Sequence, residues 1–388
     1  MEVDDESVSR AVWLCRRAVI RGAIRSLVAS ARRVRLCGRV LAPQASDIVS
    51  SARSRMSVDT TAVLPMATLG AEVDLDLGHL LTATDLGKTR VASHLRDLLD
   101  THGLLVLRNQ RLDPGQHLAL AQWFGPVFPL PPRFQHEKSP HTNILRVSND
   151  ATEGFTGVGA TSWHIDGASY DSPFTVSLLY SQQVPTVSAP TAFIALRPLA
   201  SRILERRPEW QRLVACVGHG EKQVKHPLIF SHPRTKQPGV ILGKLTGLVW
   251  QSQGQAECGE TEPEVGAAGV SDSREDELLQ ELRVHTEAWA AVAAYRHEWK
   301  EGDLVLFDNL AVAHWAPPET QVYQCVFCLC FVVVSMMQMD LAKQWPVYLS
   351  QVSPEEAGLR VLHRVVVAGD ASLSPYKENC DENGTFLP

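Results

Sequence analysis

The chain carries no lysine-rich block, no regular cysteine framework and no apolar run of membrane-spanning length, and each absence removes a class of function. Its 37 Lys and Arg stand against 43 Asp and Glu in 388 residues, a formal charge of −6 with both signs mixed over most of the sequence. That pattern offers no basic face for nucleic acid, so a small molecule is the expected partner. The eight cysteines (15, 37, 216, 258, 325, 328, 330 and 380) are scattered. No secretory signal precedes them and a chain this long needs no disulfide staples, so a reducing compartment, the cytoplasm by default, is expected. Cys325, Cys328 and Cys330 have metal-like spacing, but no fourth Cys or His lies near them and their neighbours are Val, Phe and Leu; zinc is not expected there. The strongly apolar stretch Val322 to Met337 contains Gln324 and falls short of the roughly 20 residues a bilayer requires. No membrane partner is expected, and assembly of identical subunits stays open.

What is present is an ordinary globular composition, 45% hydrophobic and 21% charged, sufficient for a sizeable core. Residues 7–46 hold nine Arg and no Lys, Asp or Glu. That composition resembles a mitochondrial transit peptide, which would move the protein to mitochondria. The acidic opening MEVDDE argues against it, and Met56 begins a segment, MSVDTTAVLP, that reads as a domain start. Residues 1–55 are therefore expected to be an extension, disordered or targeting, ahead of one domain at 56–388.

Within that domain, Val91, Leu95, Leu98 and Leu99 have helical spacing across Asp85 to Asp100, and the helix runs into the apolar stretch HGLLVLRNQ. Asp113 and Pro114 then predict a second helix, with Asp as cap and Pro in its first turn, closed by Gly125 and Pro126. Short β-rich runs follow, among them FTVSLLY, TAFIAL, GVILG and DLVLF, punctuated by Pro, Gly and Ser. The expectation is an α+β, mainly β domain, a barrel or sandwich with helices near one end. Residues 251–275 are polar, acidic and Gly-rich and read as a mobile loop, after which Leu278, Leu279 and Leu282 resume a helix.

The chemistry is concentrated in two stretches. In Trp163-His164-Ile165-Asp166, an imidazole and a carboxylate stand at i and i+2, and on a strand such side chains leave one face. GDLVLFDNLAVAH (302–314) reads as a strand running into a turn and ending in His314. Two His and one carboxylate on one face of an octahedron leave three positions open, the arrangement suited to Fe(II) oxygenases. A lone His-x-Asp pair is weak, because 14 His and 43 acids make such pairs common.

The span from about residue 100 to 370 resembles the taurine/2,4-dichlorophenoxyacetate dioxygenase (TauD/TfdA) family in several segments, in order: HGLLVLRNQRLDPGQHLALAQWFG, WHIDGAS, HPLIFSHPRTKQPG, GDLVLFDNLAVAH and RVLHRVVVAGD. The resemblance implies a double-stranded β-helix (jelly-roll) with the metal in the mouth of the barrel. It implies Fe(II) on His164, Asp166 and His314, with 2-oxoglutarate and O2 as co-substrates. Thr191 and Arg360 match the residues that hold the far carboxylate of 2-oxoglutarate, and Arg364 matches an arginine that binds the substrate's anion. Positions i and i+4 share a strand face, so Arg360 and Arg364 can enter one cavity, with His363 facing the other way. Asp166 is the carboxylate that related halogenases lack, which favours hydroxylation. His226 and His232, each followed by Pro, are expected to be structural. Phe307 is either a pocket aromatic or a core one.

Two departures stand out. His314 and Arg360 are 46 residues apart, where the family has one short loop. The excess is close to Val322–Gln351; removing those 30 residues would leave a separation of 16. The segment reads as a translated intron, as a lid or partner-binding hairpin, or as an insert that displaces Arg360. The positions that taurine enzymes use for the sulfonate and amine fall on Leu130 and Ala160, so taurine itself is not the expected substrate; another sulfonate, a sulfate ester or a carboxylate fits Arg364. The rival readings are a catalytically silent jelly-roll binding protein with its co-substrate site disrupted by the insert, and a zinc hydrolase on the same ligands.

Overall fold

The computed structural model describes residues 61–82, 85–156, 162–185, 190–251, 272–316 and 358–377. The expected N-terminal extension, the Cys325–Cys330 triplet, Ala160, most of the 251–275 loop and the 322–351 segment lie outside the described residues.

The described residues open with β1 (Val63–Pro65) and β2 (Ala71–Val73), a short helix α1 (Leu77–Leu80) and the long helix α2 (Asp85–His102). Val91, Leu95 and Leu99 form its buried stripe, as their spacing predicted. Gly103, at φ +71, ends it, an left-handed conformation that glycine adopts without strain. Then come β3 (Leu104–Leu107) and α3 (Pro114–Gln122). Asp113 caps α3 through a reciprocal capping box with Gln116; the helix stops at Gln122, short of Gly125. The body follows as β4 (Leu145–Ser148), β5 (Val176–Gln183), β6 (Thr191–Ala195), α4 (Leu196–Arg206), β7 (Leu213–Val217), β8 (Val224–Pro227), β9 (Ile229–Ser231), β10 (Pro238–Val240) and β11 (Leu245–Trp250). It closes with α5 (Asp272–Ala293), β12 (Tyr295–His297), β13 (Leu304–Asp308), β14 (Val312–Trp315), β15 (Val361–Val366) and β16 (Ser374–Pro375).

The major sheet has seven strands in the order β1-β2-β3-β13-β5-β15-β4, antiparallel except where β2 meets β3. It faces a three-stranded sheet, β12-β6-β14; the sheets β11-β7-β8 and β10-β9-β16 complete the body. This is the jelly-roll the resemblance implied. The central strands are apolar on both faces because both are covered. On β13, Val305 and Phe307 point into the cluster between the sheets, with Val106, Leu179 and Leu362 from the major sheet and Phe193 and Val312 from the opposing one. Leu304 and Leu306 point the other way, onto α2 and α3 residues such as Leu95, Leu99 and Leu120. A third cluster packs α4 and α5, through Leu199, Ile203, Leu278 and Leu282, on the smaller sheets. The helices thus flank the sheets, α2 and α3 on one cluster and α4 and α5 on another, since each sheet has an apolar outer face to bury.

Residues 163–166 do not form the strand expected of them. His164 makes a single antiparallel bridge with His314, and the chain then turns through Gly167 at φ +76. The 302–314 stretch is likewise two strands, β13 and β14, with His314 inside the second.

Candidate metal centre

The backbones of His164 and His314 are joined in both directions, His164 N–H to His314 O at 3.1 Å and His314 N–H to His164 O at 2.9 Å. That pair of hydrogen bonds seats the two imidazoles side by side, with ring centroids 4.3 Å apart. Asp166 is placed by Asn309: its N–H donates to Asn309 Oδ1 at 2.7 Å, and Asn309 Nδ2 donates to the Asp166 carbonyl at 2.9 Å and to Phe174 O at 2.7 Å. The turn between β13 and β14 therefore holds the carboxylate that faces β14's own histidine.

The three side chains converge. His164 Nε2 lies 3.9 Å from Asp166 Oδ1, and His314 Nε2 lies 3.9 Å from Asp166 Oδ2. An ion bonded at roughly 2.1 Å spans donors up to roughly 4.2 Å apart, so both carboxylate pairs are within reach of one cation. Among the described residues, these three are the group of His, Cys, Asp and Glu side chains that could hold a metal, all donor atoms lying within 4.8 Å of one another. The Ser162 carbonyl, 2.9 Å from His164 Nδ1, fixes that nitrogen as the N–H and leaves the Nε2 lone pair for the ion. The donor set fits Fe(II).

Electrostatics keep the three side chains in the forms that could bind a metal. Burial pushes the Asp166 carboxyl up, but Arg364, the two imidazoles and the Ser177 hydroxyl together hold it well below the usual carboxylate range. Arg364 Nη1 donates to Asp166 Oδ1 at 2.9 Å and Ser177 Oγ to Oδ2 at 3.1 Å. Burial lowers both histidines, His314 to about 3 with His164 adding to the effect, so each is a neutral imidazole at neutral pH.

Around this centre, Phe307 and Phe193 stand 5.0 and 6.2 Å from the His314 ring by centroids. Phe307 is thus both a core aromatic and a wall of the site. Thr191 opens β6 two residues before Phe193, buried, and accepts a hydrogen bond from Trp299 Nε1 at 3.0 Å. Arg360 immediately precedes β15, 6% exposed, its N–H bound to Asn149 Oδ1 at 2.8 Å. Strand alternation puts Leu362 in the inner cluster and Arg364 on Asp166, while the pairing of β15 with β5 shifts register between Val361 and Leu362, beside Arg360. His363 is buried as well, its Nε2 3.2 Å from Arg146 Nη1. His226 binds the Ala168 carbonyl and His232 the Asp308 carboxylate, both structural. Leu130 packs on the inner cluster and offers no polar group. Sequence reasoning missed Ser177, Asn309, Phe193 and Trp299. Asn309 had a signal, its place in the quoted 302–314 stretch; Ser177 had none, being one small residue in an apolar strand.

A family model, the taurine catabolism dioxygenase TauD, TfdA family, matches residues 62–321, well over half of the chain. An alpha-ketoglutarate-dependent 2,4-dichlorophenoxyacetate dioxygenase of Cupriavidus pinatubonensis is 26% identical over 292 residues, covering 67% of this chain and 92% of the relative. The pentalenolactone F synthase of Streptomyces arenae is 30% identical over 290 residues, 65% of this chain and 87% of the relative. In fold, the chain is similar to a taurine dioxygenase from Burkholderia xenovorans, with a TM-score of 0.56 at 21% identity over 81% of this chain and 91% of that one. The chain belongs to the TauD/TfdA family of 2-oxoglutarate-dependent non-haem iron dioxygenases.

Proposed function

We propose that the protein hydroxylates a small organic anion, a sulfonate, sulfate ester or carboxylate, with Fe(II) on His164, Asp166 and His314. Thr191 and Arg360 hold the far carboxylate of 2-oxoglutarate, and Arg364 holds the substrate's anionic group. Bound Fe(II) supplies O2 activation coupled to oxidative decarboxylation of 2-oxoglutarate to succinate and CO2. The chain's residues do the rest: they bind and orient the reactants and keep water from the buried centre.

The observation that carries the reading is Arg364 at 2.9 Å from Asp166 Oδ1. A guanidinium has five N–H donors, so one bond to Asp166 leaves others for a ligand. With a dication, two arginines and one carboxylate, the centre keeps one excess positive charge after a 2-oxoglutarate dianion is added. A monoanionic substrate cancels it, and an uncharged one leaves it buried and uncompensated. Tyr170 and Phe174, which follow Asp166 closely in the chain, pack ring to ring with Phe128 at 4.5 to 5.5 Å and suit an apolar body on that anion. The silent-jelly-roll alternative is disfavoured because β15 is seated between β5 and β4 with Arg364 on Asp166, despite the long segment before it.

Anaerobic addition of Fe(II) and then 2-oxoglutarate to the full chain should give a visible chelate absorption band. A screen of O2 consumption should then find coupled turnover among small sulfonates, sulfate esters and carboxylates. Coupled turnover confined to uncharged compounds overturns the substrate class, and absence of the chelate band overturns the co-substrate site.

A further inference from the structure

Thr191 Oγ1 accepts its bond from an indole, and the direction of that bond has a chemical effect. Trp299 Nε1 can only donate, so the 3.0 Å contact occupies a lone pair of Thr191 Oγ1 and leaves the hydroxyl's own proton for a different partner. The indole is itself firmly placed. Trp299 is 5% exposed, belongs to the inner cluster with Phe193 and Phe307, and meets the His297 ring edge-on at 4.5 Å. His297 pairs with Thr191 across β12 and β6. Its Nε2 stands 3.2 Å from Asp303, a 1% exposed carboxylate that also takes Arg108 Nη1 at 2.6 Å and the Lys300 N–H at 2.8 Å. Arg108 is tied in turn to Glu72 at 3.1 Å. A polar network centred on the buried Asp303 therefore braces the turn from which the indole reaches Thr191.

We propose that Trp299 is a positioning residue for the co-substrate: by donating to Thr191 Oγ1, it turns the hydroxyl proton toward a carboxylate, so that 2-oxoglutarate meets a pre-oriented donor. This rests on the assignment of Thr191 to the far carboxylate. Trp299 touches no reactant and acts through Thr191 alone. An unrestrained threonine hydroxyl rotates among nearby acceptors, main-chain carbonyls included, and orienting it would otherwise be an entropic cost of binding.

The test is anaerobic titration of the Fe(II)-loaded full chain, followed by the chelate band, with 2-oxoglutarate and with 2-oxopentanoate, which lacks the far carboxylate. Trp299→Phe should weaken 2-oxoglutarate about fivefold, the usual worth of one hydrogen bond, and leave 2-oxopentanoate unchanged. In a Thr191→Val background, Trp299→Phe should cost nothing further; in Thr191→Ser, which keeps the hydroxyl, it should cost as much as in the native chain. In turnover, the KM for 2-oxoglutarate should rise with kcat preserved. Equal losses for both oxo acids, additive losses in Thr191→Val, or no loss in Trp299→Phe while Thr191→Val weakens binding all overturn the inference and leave the Thr191 assignment standing. Native affinity in Thr191→Val overturns that assignment and the inference with it. A second readout avoids substituting the tryptophan. With Zn(II) replacing Fe(II), the indole N–H resonance displaced by Thr191→Val should move on adding 2-oxoglutarate and not 2-oxopentanoate; a resonance indifferent to both overturns the inference.

Discussion

Arg364 and Asp166 form an ion pair, Nη1 to Oδ1 at 2.9 Å, inside the centre that the two histidines complete. The side chain of Arg364 is 19% exposed and that of Asp166 is 7% exposed, so the cation is the more accessible partner of the pair. Arg364→Leu should leave the Fe(II)/2-oxoglutarate chelate band in place and raise the KM for the anionic substrate by roughly a hundredfold, the worth of a charge-assisted, desolvated contact. Arg364→Lys should recover little of the loss, because a point charge does not reproduce a planar fork. Steady-state kinetics beside the anaerobic titration separate the two steps.

His164→Ala or Asp166→Ala should abolish succinate production from 2-oxoglutarate, measured under O2 with Fe(II) in excess. Turnover retained in either variant refutes the ligand assignment.

Asn309→Ala should reduce both stability and iron affinity. It removes three buried hydrogen bonds at the Asp166 and Phe174 backbones. At about 1 kcal/mol net for each, the loss is about 3 kcal/mol in denaturant unfolding. Iron affinity should fall at least tenfold as the carboxylate loses its support.

The acid sensitivity of the apo protein should trace in part to His117. It is 1% exposed, neither ring nitrogen has a hydrogen-bond partner, and burial, with His363 nearby, lowers it to about 3. An unfolded histidine takes up its proton below about pH 6.5. The unfolded chain therefore binds more protons than the native one between that pH and about 3, and stability falls as pH falls through the window. From pH 7.5 to 5 this one group costs about 2 kcal/mol. His117→Leu should flatten the pH dependence of the melting temperature by that share while leaving stability at pH 8 equal or higher.

A chain lacking Val322–Gln351 should bind Fe(II) and 2-oxoglutarate within threefold of the full chain. The basis is that β15 already lies in its sheet with that segment present. A chelate band that forms only after the deletion would establish the disrupted-site alternative instead.

The legible parts of this molecule were those where chemistry and pattern coincide. His164, Asp166 and His314 could be read as a triad, and the structure brings their donors together. Asp113 with Pro114 gave the start of α3, because a cap and a proline act locally. The strand expected at 163–166 was misjudged because alternation alone cannot show that the ladder ends after one pair; that depends on Gly167 and on Asn309, which is 143 residues from Asp166. Ser177 and Trp299 were invisible for a related reason. Each matters through one contact with a distant residue, and no local period marks it.

The sheet order carries a further consequence, for the birth of the protein. β15 lies between β5 and β4, and β4 has no other neighbour in the major sheet. All three proposed iron ligands are thus synthesised before the strand that closes the gap beside them. A nascent or truncated polypeptide ending before residue 361 exposes two open strand edges around an otherwise assembled core, a template for sticking to other chains until the last strand slots in.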